Sequence, residues 1–267
     1  MLAANDVFQE DGDGLTIVNF IFGVAVEAAL GSPAAQFDPN EFIYLADPEG
    51  GAARPIWVRT DAGIDTADEW LASDEPLIFG TTGLADTFNF VPKAYEFLGF
   101  PVEIIAGYGG SAEITTAIEQ GELNAHSDIA LNIMSTAPHL IEDGIIKAII
   151  TSGEPEEEFA HLFEGLPTAE EYADTQLKRD FLNFTNSLTE YLRLYAVPPG
   201  TPDDRVEALR NAFESVLDDP EFLADMEQAG RALAFRSGAQ VQEDIAAIAA
   251  APDEVKDAFR ELLGISQ

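Results

Sequence analysis

Two consecutive strand–loop–helix units, between Leu77 and Gly121, constrain the fold of this chain more than any other feature. In each unit a short apolar run ends in glycine and hydroxyl residues and is followed by a helical pattern, first at residues 77–98 and again at 102–120. Units of this kind, placed one after another, build a parallel sheet. The sequence therefore predicts an α/β fold organised around this segment.

The loops that follow the two strands, at residues 80–87 and 107–113, are the candidate ligand-binding segments. Ligands in an open parallel sheet bind beyond the carboxyl ends of the strands. Glycine lets the backbone turn and approach a ligand, and free amides at a helix start favour a negative charge. The loops are predicted to hold a carboxylate or phosphate without a cationic side chain. The alternative, that the glycines only make tight turns, is equally supported for either loop alone.

Local signals predict how the helices begin and end. Pro92 predicts either the first turn of the helix after residue 86 or a kink in it. Ser111 is the predicted N-cap of the next helix, and Gly121 its predicted end. Thr201, before a proline and two aspartates, predicts a further helix start.

Acidic residues outnumber basic ones by 49 to 13, and the formal net charge of the 267-residue chain is −36. The acids are spread along the sequence, which predicts a solvated acidic surface rather than an acidic tail. Concentrated salt screens the self-repulsion of such a surface, so we interpret the composition as an adaptation to high salt. The same surface makes nucleic acid and anionic membranes poor partners.

The remaining composition excludes several kinds of site. A hydrophobic content of 46% predicts a folded globular protein, and the absence of cysteine excludes thiol nucleophiles, disulfides and cysteine-based zinc sites. His126, His139 and His161 are too far apart for a helical metal pair, so no metal or cofactor is expected. No apolar run reaches the roughly 20 residues that span a bilayer. Residues 1–6 show no signal-peptide pattern.

Several short motifs, in consistent order and spacing, make the chain resemble a known family of transport proteins. They are Phe79-Gly-Thr-Thr-Gly-Leu-Ala-Asp86, Gly107-Tyr-Gly-Gly-Ser-Ala-Glu-Ile114, Ala117-Ile-Glu-Gln-Gly-Glu-Leu123, Leu166-Pro-Thr-Ala-Glu170, Ala196-Val-Pro-Pro-Gly-Thr-Pro202 and Asp219-Pro-Glu-Phe-Leu223. None is specific alone, but their order and spacing fit a resemblance that extends over roughly residues 10–260. The chain resembles the substrate-binding proteins of tripartite tricarboxylate transporters, the Bug or TctC-type receptors.

This resemblance implies a two-lobed, periplasmic-binding-protein-like (type II) fold with a ligand cleft between the lobes. Residues 1–59 with 191–267 would form lobe 1, and residues 60–190 would form lobe 2. Receptors of this family hold carboxylate oxygens largely with backbone amides and hydroxyls. The residues that correspond to such contacts in this sequence are Thr81, Thr82, Gly83, Tyr108, Gly109, Gly110 and Ser111, with Asp128 as a further candidate.

The resemblance also implies a function. It predicts a non-catalytic, monomeric receptor outside the cytoplasm, periplasmic or on the cell surface. The receptor would bind a small di- or tricarboxylate, or a similar organic acid, and deliver it to the membrane permease of a tripartite transporter. Family members begin with a signal peptide, a first strand and a glycine-rich loop, whereas this sequence is expected to start after all three. A fragment without ligand is therefore one alternative.

The second alternative is a dinucleotide-dependent enzyme. Gly107, Gly109 and Ala112 fit a Gly-x-Gly-x-x-Ala pattern after a strand, and Asp128 lies downstream at a tolerable distance. The pattern does not fall at the first βαβ position, where such a site is expected. Ser111, in Gly-Gly-Ser-Ala-Glu, does not have the context of a nucleophile elbow.

Overall fold

The computed structural model describes residues 1–49, 54–83, 86–153, 157–229 and 233–264. Within these ranges the helices are α1 (Leu2–Phe8), α2 (Phe22–Ala29), α3 (Ala67–Leu71), α4 (Thr87–Leu98), α5 (Ser111–Gln120), α6 (Ala130–Thr136), α7 (His139–Glu142), α8 (Gln176–Thr189), α9 (Asp203–Val216), α10 (Pro220–Gln228), α11 (Gly238–Ala249) and α12 (Asp253–Leu263). The strands are β1 (Val18–Ile21), β2 (Ile43–Asp47), β3 (Ile56–Arg59), β4 (Leu77–Thr81), β5 (Val102–Ala106), β6 (Ala125–His126), β7 (Ile146–Ile150), β8 (Arg193–Val197) and β9 (Arg236–Ser237). Two 3₁₀ helices cover Glu157–Leu162 and Ala169–Tyr172.

The chain divides into two compact units, residues 1–51 with 190–267 and residues 52–189. In the first unit the described strands form an antiparallel sheet in the order β1–β8–β2–β9, with Phe20 opposite Leu194. Asp47 at the end of β2 fixes the start of β8, because its Oδ2 accepts a hydrogen bond from the Leu192 amide at 2.8 Å. The core of this unit includes the buried Phe42 and Phe259.

The second unit contains an antiparallel group, in the order β6–β3–β7, and the parallel pair β4–β5. Asn124 connects the two groups. Its side-chain oxygen accepts from the Ile78 amide of β4 at 2.6 Å, its own amide donates to Ile78 O, and its carbonyl accepts from Arg59 of β3. The parallel pair predicted from residues 77–106 is confirmed.

Alternating residues on β3 and β4 separate two apolar layers of the second unit. Ile56, Val58 and Phe79 belong to a cluster around Trp70 that includes Tyr95 of α4. Trp57 on the opposite face of β3 belongs to a second cluster, with Ile114 and Ile118 of α5. Layers of this kind on both faces of a sheet are typical of α/β architecture, and the predicted fold class is confirmed.

Local sequence accounts for most helix boundaries, with two corrections. Asp86 caps α4 by accepting from the Phe88 amide, so the helix begins at Thr87 and runs through Pro92. Gly121 ends α5 with a φ of 75°, as predicted. Ser111 is the first residue of α5 rather than its N-cap, because Gly110 takes the cap position. Pro202, not Thr201, precedes α9, because the Thr201 hydroxyl donates back to Pro198 O.

Residues 56–59, at the end of the predicted first lobe, form β3, which pairs with β6 and β7 in the second unit. These pairings join residues far apart in sequence, and local pattern carries no signal for them. The assignment of the two units to the lobes of a closing receptor stays a prediction.

Candidate functional site

The two candidate loops leave the same edge of the sheet. Thr81 ends β4 directly opposite Ala106, which ends β5. The carbonyl of Thr81 accepts from the amide of Gly107 at 3.0 Å and from the amide of Tyr108 at 3.3 Å. Parallel pairing therefore brings the first loop and the second loop together, as expected for the carboxyl ends of neighbouring strands.

Gly80 makes the close approach of the loops possible. A Cβ atom at this position would lie 2.7 Å from Leu123 Cδ1 and 3.0 Å from Tyr108 Cε2, so these side chains would have to move to admit it. The missing side chain lets the half-buried Tyr108 ring lie against the end of β4.

The serine and threonine hydroxyls predicted to bind ligand already donate within the protein. Thr81, which is 2% exposed, donates to Gly83 O at 3.0 Å, and the exposed Thr82 donates to Asp86 Oδ2 at 2.6 Å. Ser111 donates to Asp128 Oδ2 at 2.8 Å. A hydroxyl has one hydrogen, so these side chains reach a ligand as donors only by leaving their present partners.

Several loop amides also have acceptors in the protein. The Thr82 amide donates to Asp86 Oδ2 at 3.2 Å, and the Gly83 amide to Thr81 Oγ1 at 3.3 Å. The Gly109 amide donates to Glu113 Oε2 at 2.7 Å. Each loop is thus closed by a carboxylate of its own, four residues after the amide. Leu84 and Ala85 of the first loop lie outside the described residues.

The start of α5 supplies the donors that remain. Among the described residues, the amides of Gly110, Ser111 and Ala112 have no acceptor in the protein. They belong to the N-terminal turn of a ten-residue helix, where the backbone dipole also favours an anion. Ala112, which the sequence analysis does not name as a contact, joins Gly110 and Ser111 in this group.

Asp128 lies behind this helix start and is 3% exposed. Its carboxylate accepts from Ser111 Oγ, from Asn132 Nδ2 and from the Ile129 amide. Arg54 Nη1 is 3.7 Å from Asp128 Oδ1 and is buried to the same degree. Asp128 therefore positions Ser111 and is paired with a buried guanidinium, while its role as a ligand contact stays a prediction.

His126 completes this buried polar group. It is 1% exposed, and its Nε2 atom lies 3.7 Å from Asp128 Oδ2 with no hydrogen-bond partner among the described residues. Burial lowers the pKa of His126 below its usual value, and Arg54 adds to the lowering, while Asp128 and Asp86 oppose it. The Phe88 ring covers the imidazole at a centroid distance of 5.4 Å.

The sequence analysis missed Arg54, His126 as part of a polar cluster, and Asn132. Only Asn132 has a sequence signal, because its spacing of four from Asp128 places both side chains on one side of a helical turn. Arg54 lies 74 positions before Asp128, and only tertiary structure brings them together.

A surface pocket of about 610 Å³ lies elsewhere in the second unit. Its lining includes Asp65, Asp68, Glu171, Pro167 and Tyr172, and none of the candidate residues. Lys147, the cation nearby, is paired with Asp65. Three carboxylates around one pocket disfavour an anionic ligand there.

The described residues contain no cluster of three or more side chains arranged to hold a metal ion. Within the same part of the chain, no helix is both long and apolar enough to cross a bilayer.

Solved structures of other proteins align with this fold over most of the chain. A TctC solute-binding protein from Polaromonas aligns over 97% of this chain and 83% of its own, with a TM-score of 0.67 and 19% identity. A protein of R. palustris solved with adipate aligns over 99% of this chain and 83% of its own, with a TM-score of 0.68 and 18% identity. MatC from Rhodopseudomonas palustris, solved with bound malate, aligns over 98% of this chain and 83% of its own, with a TM-score of 0.65 and 17% identity.

No protein-family model matches the chain, and no curated protein matches it by sequence. The Polaromonas neighbour is described as a TctC solute-binding protein, and a further structure with this fold is the periplasmic binding protein BugD. The resemblance inferred from the short motifs is therefore confirmed at the level of the fold. This chain has the fold of TctC- and Bug-type solute-binding proteins.

Proposed function

We propose that this protein is a non-catalytic receptor for a small carboxylate, with the start of α5 as the site that holds one carboxylate group. The ligand is a di- or tricarboxylate or a similar organic acid. Gly110, Ser111 and Ala112 supply backbone amides, and the Tyr108 ring borders them. Two of the neighbours that share the fold were solved with adipate and malate, which supports this ligand class.

The observation that carries the proposal is the set of three adjacent amides at the start of α5 without an acceptor in the described protein. Backbone amides at a helix start bind anions without a cationic side chain, because the hydrogen-bond donors and the helix dipole point the same way. Local dipoles of this kind act at short range, where the large negative charge of the whole chain is screened by salt.

Calorimetric unfolding with and without ligand tests the proposal. The purified chain is heated in about 0.5 to 3 M KCl with adipate, malate, citrate or NAD. A ligand at a hundredfold excess over its dissociation constant adds about 2.7 kcal/mol to the free energy of unfolding. We expect a rise in Tm with at least one carboxylate and none with NAD. No shift with any carboxylate at any salt concentration would contradict the proposal.

Two variants of Ser111 locate the site within the same experiment. Ser111→Pro removes the amide hydrogen at the first helical position, where proline is tolerated. Ser111→Ala removes the hydroxyl but keeps the amide. We expect Ser111→Pro to weaken carboxylate binding by about tenfold, and Ser111→Ala to weaken it far less.

The dinucleotide alternative is disfavoured by Asp128. In a dinucleotide site the acidic residue binds a ribose hydroxyl, whereas Asp128 is buried and accepts from Ser111 and Asn132. Saturable binding of NAD by the purified chain would favour this alternative.

The remaining parts of the proposal concern partners and location. We propose that the receptor works outside the cytoplasm as a monomer and delivers its ligand to the permease subunits of a tripartite tricarboxylate-type transporter. BugD, which shares the fold, is described as a periplasmic binding protein. Ligand-dependent crosslinking of the receptor to the permease in membranes tests the delivery step.

A further inference from the structure

We propose that Glu113 is an internal competitor for the ligand, which occupies the amide of Gly109 until a ligand carboxylate replaces it. This inference rests on the proposed function, because it concerns the same loop. It makes Glu113 a residue that sets the affinity of the site and selects ligands able to displace a carboxylate.

The geometry places a carboxylate where a ligand is expected to bind. Glu113 Oε2 accepts from the Gly109 amide at 2.7 Å, next to the three amides of Gly110, Ser111 and Ala112. A Cβ atom on Gly109 would lie 2.8 Å from Glu113 Oε1, so the absence of a side chain at position 109 admits the carboxylate. The protein's own side chain therefore makes the kind of contact that an organic acid would make.

The corresponding carboxylate of the first loop is held differently. Asp86 accepts from the Thr82 amide and hydroxyl with Oδ2, and from the Phe88 amide with Oδ1 as the cap of α4. Releasing Asp86 would cost these three hydrogen bonds, one of which caps α4. Glu113 is exposed, and within the described ranges the Gly109 amide is the one donor that it reaches. Glu113 is therefore the carboxylate that exchanges, while Asp86 stays in place.

A helix start and one hydrogen bond would also fit a plain capping interaction. The buried group behind the loop adds an independent observation. His126 is 1% exposed, its Nε2 has no hydrogen-bond partner among the described residues, and it faces the Asp128 carboxylate that holds Ser111. A buried polar atom without a hydrogen-bond partner costs free energy, and in a native structure it calls for an explanation such as a functional role.

Releasing Glu113 from the Gly109 amide costs the protein little free energy. A carboxylate released from this amide returns to water, because Glu113 lies on the exposed face of the first turn of α5. The ligand must still replace an existing charge-assisted hydrogen bond, and this competition lowers its affinity. Removing the competitor should therefore tighten binding, in contrast to the usual effect of mutating a residue in a binding loop.

Two variants separate competition from long-range charge. Glu113→Asp keeps the negative charge and remains suited to the first turn of a helix, but its side chain is one methylene shorter and does not reach Gly109. Glu113→Gln keeps the length and removes the charge. Glu103→Gln, an exposed position on β5, is the matched control for the charge change. Dissociation constants for the organic acid that binds the wild type are measured by titration calorimetry in about 2 M KCl.

We expect both Glu113 variants to bind about tenfold more tightly than the wild type, and Glu103→Gln to bind like the wild type. In the free proteins, the Gly109 amide resonance should also shift between wild type and Glu113→Asp. Equal dissociation constants for wild type and Glu113→Asp would overturn the inference while leaving the proposed function intact. Tighter binding in Glu113→Gln alone would assign the effect to charge and also overturn it. Carboxylate binding by none of the proteins would overturn the inference and the proposed function together.

Discussion

At His126, burial and three neighbouring charges act on one imidazole. Burial lowers its pKa, Arg54 lowers it further, and the carboxylates of Asp128 and Asp86 oppose the shift. The unfolded chain has an ordinary histidine pKa of about 6.5. Below that pH the unfolded state therefore binds more protons than the folded state. The stability contributed by neutral His126 is present above pH 6.5 and is lost as the pH falls towards its lowered folded-state pKa.

Replacement by glutamine tests this account. We expect the free energy of unfolding of the wild type to fall more steeply with acidification below pH 6.5 than that of His126→Gln. The difference in slope has an upper limit of about 1.4 kcal/mol per pH unit. Urea unfolding at a series of pH values measures it. His139→Gln, at a histidine whose side chain is 47% exposed, is the control. Parallel curves for wild type and His126→Gln would show that His126 does not titrate in this range.

At the scale of elements, Asn124 joins the parallel pair to the antiparallel strands. Its side chain accepts from the Ile78 amide at 2.6 Å, in the middle of the strand that ends at Thr81. Asn124→Ala leaves that amide without an acceptor, and a part-buried donor left unpaired costs about 1 to 3 kcal/mol. We expect a loss of stability of this size by denaturant unfolding. Asn186→Ala, which removes a side-chain bond to exposed Glu170, should cost well under half as much.

We expect Asn124→Ala also to weaken carboxylate binding at the proposed site, because β4 carries the first candidate loop. If the variant is as stable as Asn186→Ala, the link between the two strand groups contributes little, and the packing of Phe79 and Val58 around Trp70 alone holds β4 in place.

Elements defined by local pattern could be predicted from the sequence, and elements defined by pairing could not. The segment that contains β4, α4, β5 and α5 carries its own signals, namely the apolar runs that end in glycine and hydroxyl residues, and Gly121 at the end of a helix. The pairing of β3 with β6 and β7 depends on contacts across 60 or more positions. The same holds for the candidate site. The positions of the two loops, after β4 and β5, could be predicted from the sequence, whereas the internal acceptors that bind their hydroxyls and amides could not. Those acceptors depend on side-chain rotamers and buried neighbours.

At the scale of the whole molecule, the net charge of −36 is the dominant property. Repulsion among exposed carboxylates opposes the compact state, and the Debye length falls from about 10 Å at 0.1 M salt to about 3 Å at 1 M. We expect Tm to rise steadily with KCl over this range and to level off once the repulsion is screened. Differential scanning calorimetry at graded KCl concentrations measures this.

A partly neutralised variant separates charge screening from the general effect of salt on apolar surface. Helices α9 and α10 and the turn between them carry exposed acids that can be changed to their amides, at Asp204, Glu207, Glu214, Asp218, Glu221 and Asp225. This removes six of the 36 net negative charges in a region outside the carboxylate site. If repulsion limits stability, the variant has a higher Tm than the wild type at 0.1 M KCl, and the two values converge at high salt. A constant difference at all salt concentrations would mean that the substitutions act locally, and a Tm of the wild type that is independent of salt would contradict adaptation to high salt.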